Sequence, residues 1–145
     1  EPQATFSACF GEPFMPMHPG VYADLLSQTM AEHHSTAWLI NTGWSGGSSG
    51  VGNRMKIKYT RAMLNAAMDG DLDNVEYVVD DRFGFEVPKT CPGVPSEVLI
   101  PKQTWENGEA YDATADKLAS MFNDNFKRYS SGVSDEVNSA APTVA

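Results

Sequence analysis

The chain has 145 residues, a length that suits a single domain, and its 19 Asp and Glu outweigh 10 Lys and Arg to give a formal charge of −9. That balance excludes a general nucleic-acid surface, which needs clustered positive charge. No stretch approaches the run of about 18 apolar residues that a membrane span requires. Cys9 and Cys91 stand far apart in no paired spacing, which disfavours a disulfide scaffold and fits two free thiols in the reducing cytoplasm. The opening EPQATFSACFGEPF has neither the charged start nor the apolar run of a secretion signal, and reads as chain interior.

In chain order, Phe6 to Phe10 is an apolar run expected as a buried strand or loop, closed by Gly11-Glu12-Pro13. Cys9, flanked by Phe6, Ala8 and Phe10, is expected to pack as a small apolar residue. His18-Pro19-Gly20 then opens a helix, with Pro19 suited to its first turn. Val21, Leu25, Leu26 and Met30 give it one apolar stripe as far as about residue 33. His33 and His34 are adjacent, so their side chains diverge on a helix, unlike a metal-binding pair one turn apart.

Ala37-Trp38-Leu39-Ile40-Asn41 reads as a buried strand feeding a glycine-rich stretch, GGSSGVGNR, at 46–54. Met55 to Lys58 alternates apolar and basic residues, the pattern of an edge strand or extended segment. A second helix is predicted from Tyr59 to Met68, with Thr60 at or near its start and Gly70 just past its last turn. Val75 to Val79 reads as another strand. Residues 83–103 carry Gly84, Pro88, Pro92, Gly93, Pro95 and Pro101, and are expected as an ordered, mostly irregular connection. From Glu106 to Tyr129 the positions Tyr111, Ala115, Leu118, Met121, Phe122 and Phe126 keep a helical period. Residues 130–145 lack aromatics and periodicity, as a flexible tail does.

The glycine-rich stretch admits three readings. From Gly47 it has the G-x-x-x-x-G spacing of a P-loop, whose backbone amides cradle phosphates, whose Lys neutralises charge and whose Ser or Thr holds magnesium. Asn53 occupies the lysine position and Arg54 the hydroxyl position, and the extended 55–58 segment follows where a helix is required. That reading fails on three counts. The second is a flexible surface loop in which glycines permit tight turns. The third follows from Trp44 at its start and basic residues Arg54, Lys56, Lys58 and Arg61 after it: the loop borders an anionic or nucleotide ligand without performing phosphoryl chemistry.

Longer strings are more specific. EPQATFSACFGEPFMPMHP (1–19), NTGW (41–44), GVGNRMKIKYTRA (50–62), LDNVEY (72–77), CPGVPSEVL (91–99) and NFKRY (125–129) resemble, collinearly, the C-terminal part of ATP-dependent phosphoenolpyruvate carboxykinase. The resemblance covers Glu1 to Tyr129 and leaves only the tail outside. It implies a mixed α/β fold, being the C-terminal portion of the family's mononucleotide-binding domain. It also implies a cytoplasmic gluconeogenic lyase that converts oxaloacetate and ATP to phosphoenolpyruvate, carbon dioxide and ADP with Mg2+ and Mn2+.

By the same resemblance, the family's P-loop, metal ligands and oxaloacetate-binding arginines belong upstream of Glu1, so no catalytic or metal-binding residue is assigned in this chain. Residues 1–11 match the end of the family's mobile active-site lid and receive no role. The segment matching GNRMKIKYTR contributes to the family's ATP site an Arg, the residue after it and a Thr six positions beyond that Arg. Those positions are Arg54, Met55 and Thr60. Arg can pack on or hydrogen-bond to adenine and ribose, Met can offer backbone groups and apolar surface, and Thr a hydroxyl. Thr60 equally suits a helix N-cap. Two features depart from relatives: Asn53 replaces a Lys that many carry, and Ser48-Ser49 stand where relatives often carry a bulkier loop residue. The alternative readings are an isolated partial nucleotide-binding lobe and a non-catalytic interaction fragment, both without turnover. No oligomeric state follows from the sequence.

Overall fold

The computed structural model describes residues 5–144, which form a mixed α/β structure with two small antiparallel sheets. The chain begins with two 3-10 turns, Ala8–Phe10 and Glu12–Phe14, where a strand or loop was expected. Cys9 sits in the left-handed region at φ 48°, a conformation no strand contains, and the reversal turns its thiol outward. The expected packing of Cys9 is therefore corrected: it is exposed.

Helix α1, Pro19–His33, starts as the sequence predicts, with Pro in the first turn and the His18 ring accepting a hydrogen bond from the Gly20 amide at 3.1 Å. Its apolar stripe does not form a core. Leu25 is 62 % and Leu26 61 % exposed, and the one buried residue of the helix is Gly20, packed against the Gly132 carbonyl and Val133.

The segment 37–41 corrects a second expectation. It lies outside every strand, forms no ladder with another segment among the described residues, and leaves Leu39 71 % exposed. The strand signal was local, but a strand needs a partner to supply its hydrogen bonds. The first sheet forms just beyond it as a hairpin of β1, Trp44–Ser45, and β2, Asn53–Arg54.

Helix α2, Ile57–Asp69, begins two residues earlier than predicted and displaces the expected extended segment at 55–58. Lys56 is its N-cap residue, so Thr60 is not. Its end is as expected: Gly70 takes φ 79° and returns its amide to the Ala66 carbonyl, a left-handed cap that favours glycine.

Strand β3, Tyr77–Val79, forms within the run 75–79 expected as a strand and pairs with β4, Glu86–Pro88, which lies inside the stretch expected to be irregular. A short helix α3, Ser96–Leu99, and a 3-10 turn at Pro101–Thr104 complete that connection. The long helix α4, Gly108–Phe126, is capped by Asn107, whose side chain accepts from the amides of Glu109 and Ala110. Residues 130–144, expected as a tail, carry a 3-10 turn and a short helix α5, Asp135–Ser139; Thr143 donates its amide to the Arg82 carbonyl at 2.8 Å.

One apolar cluster joins α2 to the segment behind it: Ala66, Leu72, Cys91, Val94 and Leu99 are buried, with Trp38, Tyr59 and Met63 packed against them. Ala115 and Ala119 are the buried positions of α4. Arg82 ties the β3–β4 turn to that helix, its Nε donating to Asp116 at 2.6 Å and its Nη1 to Asp112 at 3.3 Å. Lys102 reaches Asp112 from the other side at 2.7 Å, fixing the 101–104 turn on the same helix.

Candidate functional site

The glycines at 46–52 build a tight hairpin rather than a phosphate cradle. Gly46, Gly47 and Gly50 take φ of 79°, 143° and 91°, and the amides of Val51 and Gly52 both donate to the Ser48 carbonyl at 3.0 and 2.9 Å. Donors spent inside the turn cannot wrap a phosphate, which adds a structural reason to reject the P-loop. Below the turn, Trp44 pairs with Arg54 and Ser45 with Asn53, and the Met55 amide closes the ladder on the Gly43 carbonyl at 2.8 Å. On the entering side Asn41 folds its side chain over the turn, accepting from the Gly43 amide at 2.8 Å and donating to the Trp44 carbonyl at 3.1 Å.

This hairpin forms one wall of a cavity of about 870 Å³, a size that suits a small organic ligand. Trp44, Gly46, Gly47 and Met55 line it from the hairpin, and Trp38, Tyr77 and Tyr111 are among the residues opposite. Burial pushes the Tyr77 and Tyr111 hydroxyls and the Cys91 thiol above their ordinary values, reinforced by nearby carboxylates. The lining also carries the Asp80 and Glu86 carboxylates, so the cavity is largely aromatic and apolar with acidic groups at its β3–β4 side.

The three residues singled out by sequence are distributed along β2 and the start of α2. Arg54 is exposed on β2, and none of the ion pairs among the described residues involves it. Met55 follows it and faces the cavity. Thr60, half-buried in the second turn of α2, makes no side-chain hydrogen bond among the described residues, whereas Thr29 and Thr114 turn their hydroxyls to the carbonyl one turn back at 2.8 Å. Arg54 and Thr60 are not lining residues of the cavity; they stand outside its wall. Beside them Lys56 and Lys58 lie over the Tyr59 ring, 5.8 and 4.9 Å from its centre.

Two residues at the hairpin carry no local sequence signal. Ser45 Oγ donates to Thr104 Oγ1 at 3.1 Å, and Thr104 belongs to a turn 59 residues further on. No group of three or more His, Cys, Asp and Glu that could hold a metal occurs among the described residues, so they do not fit a metal centre.

The phosphoenolpyruvate carboxykinase family model matches residues 1–97. Similar proteins include the phosphoenolpyruvate carboxykinase (ATP) of Thermus thermophilus, 56 % identical over 142 residues, and that of Brucella suis, 55 % identical over 144. The chain belongs to the phosphoenolpyruvate carboxykinase (ATP) family. The carboxykinase of Geotalea uraniireducens is 56 % identical over 137 residues. These alignments take in 98 %, 99 % and 94 % of the chain but only 27 %, 27 % and 26 % of the relatives. The chain thus spans about a quarter of the length of the curated carboxykinases it matches. No helix among the described residues is long and apolar enough to cross a membrane.

Proposed function

We propose that this chain supplies the adenosine side of the ATP site in a phosphoenolpyruvate carboxykinase, a cytoplasmic enzyme that converts oxaloacetate and ATP to phosphoenolpyruvate, carbon dioxide and ADP. The observation that supports this reading is that Met55, directly after β2, lies on the wall of a largely aromatic cavity, while Arg54 at the end of β2 is exposed and is the ladder partner of Trp44, which lines that cavity. Met55 and Trp44 offer adenine an apolar surface. Arg54 offers its guanidinium plane or its donors to the base and ribose. The uncommitted Thr60 hydroxyl offers one more donor or acceptor. Two free thiols are in keeping with a cytoplasmic setting.

In this reading residues 1–129 are the C-terminal portion of the nucleotide-binding domain, and the segment from 130 folds back onto it through α5 and Thr143. Phosphate, oxaloacetate, Mg2+ and Mn2+ are held by parts of the enzyme outside this chain. Mg2+ and Mn2+ supply charge neutralisation for the enolate and the transferring phosphoryl group. The residues here bind and orient the far end of the nucleotide, and alone they form a partial nucleotide-binding lobe without turnover.

The test is Arg54→Ala in the complete carboxykinase. The KM for ATP rises roughly tenfold or more, as expected for loss of a charge-assisted contact, while thermal stability holds. An unchanged KM for ATP removes Arg54 from the site.

A further inference from the structure

We infer that Thr104 is a positioning residue for ATP: it docks the glycine hairpin onto the 101–104 turn and so fixes where Arg54 and Met55 stand. The inference rests on the reading of the hairpin as the adenosine contact. Three observations carry it. Ser45 Oγ donates to Thr104 Oγ1 at 3.1 Å, and Thr104 Oγ1 donates onward to the Pro101 carbonyl at 2.7 Å, so one hydroxyl joins two segments in a directed relay. Gly46 lies against the same residue: at φ +79° a β-carbon on it would stand 2.7 Å from the Thr104 carbonyl oxygen, so the backbones meet only because residue 46 has no side chain. The turn beneath is itself held on α4, through Lys102 to Asp112 at 2.7 Å and through the Trp105 ring set edge-on to Tyr111 at 5.7 Å.

The route to the nucleotide is then short. Ser45 is the ladder partner of Asn53 and Trp44 that of Arg54, so a displacement of Ser45 is passed across the hairpin to the Arg54 backbone. With so short a ladder, the hairpin has little rigidity of its own, and an isolated pair of strands is marginal in water. The outside support therefore sets its position.

The experiment uses the complete carboxykinase with Thr104→Val, Thr104→Ser and, as an independent steric wedge, Gly46→Ala. KM for ATP and kcat are measured together with hydrogen exchange at the amides of Gly52 and Met55 in the absence of nucleotide. Thr104→Val is expected to raise the KM for ATP about three- to tenfold with kcat held within about twofold, the pattern of one lost hydrogen bond that acts on binding alone. Exchange at the two amides quickens, Thr104→Ser restores both readouts, and Gly46→Ala reproduces the Val phenotype. Unchanged exchange in Thr104→Val and Gly46→Ala overturns the docking. Faster exchange with an unchanged KM for ATP leaves the docking intact and overturns the assignment of the hairpin to the nucleotide. A fall in kcat at constant KM overturns the positioning role.

Discussion

Gly52 stands so close to Ser45 that a β-carbon on it would lie 2.5 Å from the Ser45 carbonyl oxygen. The same atom would meet the Gly47 carbonyl oxygen at 2.6 Å and the Gly47 nitrogen at 2.7 Å, all backbone atoms that cannot rotate away. Gly50 in the same turn differs: it takes φ 91° but has nothing within 4 Å of its would-be side chain. Gly52→Ala is expected to open the hairpin and weaken ATP binding in the complete carboxykinase. Gly50→Ala is expected to cost only backbone strain, about 1–2 kcal/mol, with the KM for ATP little changed. Thermal unfolding and ATP kinetics on the two variants check this, and equal effects would remove the steric account of Gly52.

Thr60 separates a structural from a ligand-facing role. Lys56 is the N-cap residue of α2, and the Thr60 hydroxyl supports no other group among the described residues. Thr60→Val is therefore expected to leave stability within about 0.5 kcal/mol, since the two residues have similar helix propensity and shape. The KM for ATP is expected to rise. A clear loss of thermal stability with unchanged ATP kinetics would instead return Thr60 to a structural role.

The end of α4 is joined to the start of the chain by a contact that responds to acid. Tyr129 donates its hydroxyl to Glu12 at 2.9 Å, and Arg128 pairs with the same carboxylate at 3.2 Å. The Tyr129 hydrogen bond, aided by the Arg128 charge and opposed by partial desolvation, holds the Glu12 carboxyl below its ordinary value of 4.5. The unfolded chain then binds more protons than the folded one around that pH. The stabilisation is thus complete above 4.5 and is lost as pH falls through the lower folded-state value. Tyr129→Phe is expected to reduce stability at neutral pH, and the gap from the unsubstituted protein is expected to narrow below 4.5. Urea denaturation across that range checks it; a gap independent of pH would show that the Tyr129 hydroxyl acts without regard to the charge on Glu12.

The helices were legible because their signals are local. Pro19 opens α1, Gly70 closes α2, and the apolar period of α4 runs for five turns with Asn107 before it. Among the strands β3 was legible, since Tyr77–Val79 falls inside the run 75–79 read as a strand. Its partner β4 was not, because three residues between Gly84 and Pro92 leave no periodicity to count. The segment 37–41 shows the opposite failure, a strong strand signal with no strand among the described residues to pair it. Arg54 and Met55, the residues of the proposed site, are named by family resemblance and not by any local pattern. Their cross-strand partners, and Thr104 lying 59 residues from Ser45, depend on tertiary folding that no local pattern encodes.

The segment 37–41, half-buried at Trp38 and Ile40 and exposed at Leu39, also bears on how this chain behaves in solution. Thr36-Ala37-Trp38-Leu39-Ile40-Asn41 carries no charge and no proline, and combines β-branched and aromatic residues with a backbone that joins no ladder among the described residues. Those are the attributes of a sequence that templates cross-β stacking between identical molecules. These 145 residues alone are expected to self-associate through this segment, and Leu39→Lys to slow that association without touching the hairpin beside it, as light scattering would read.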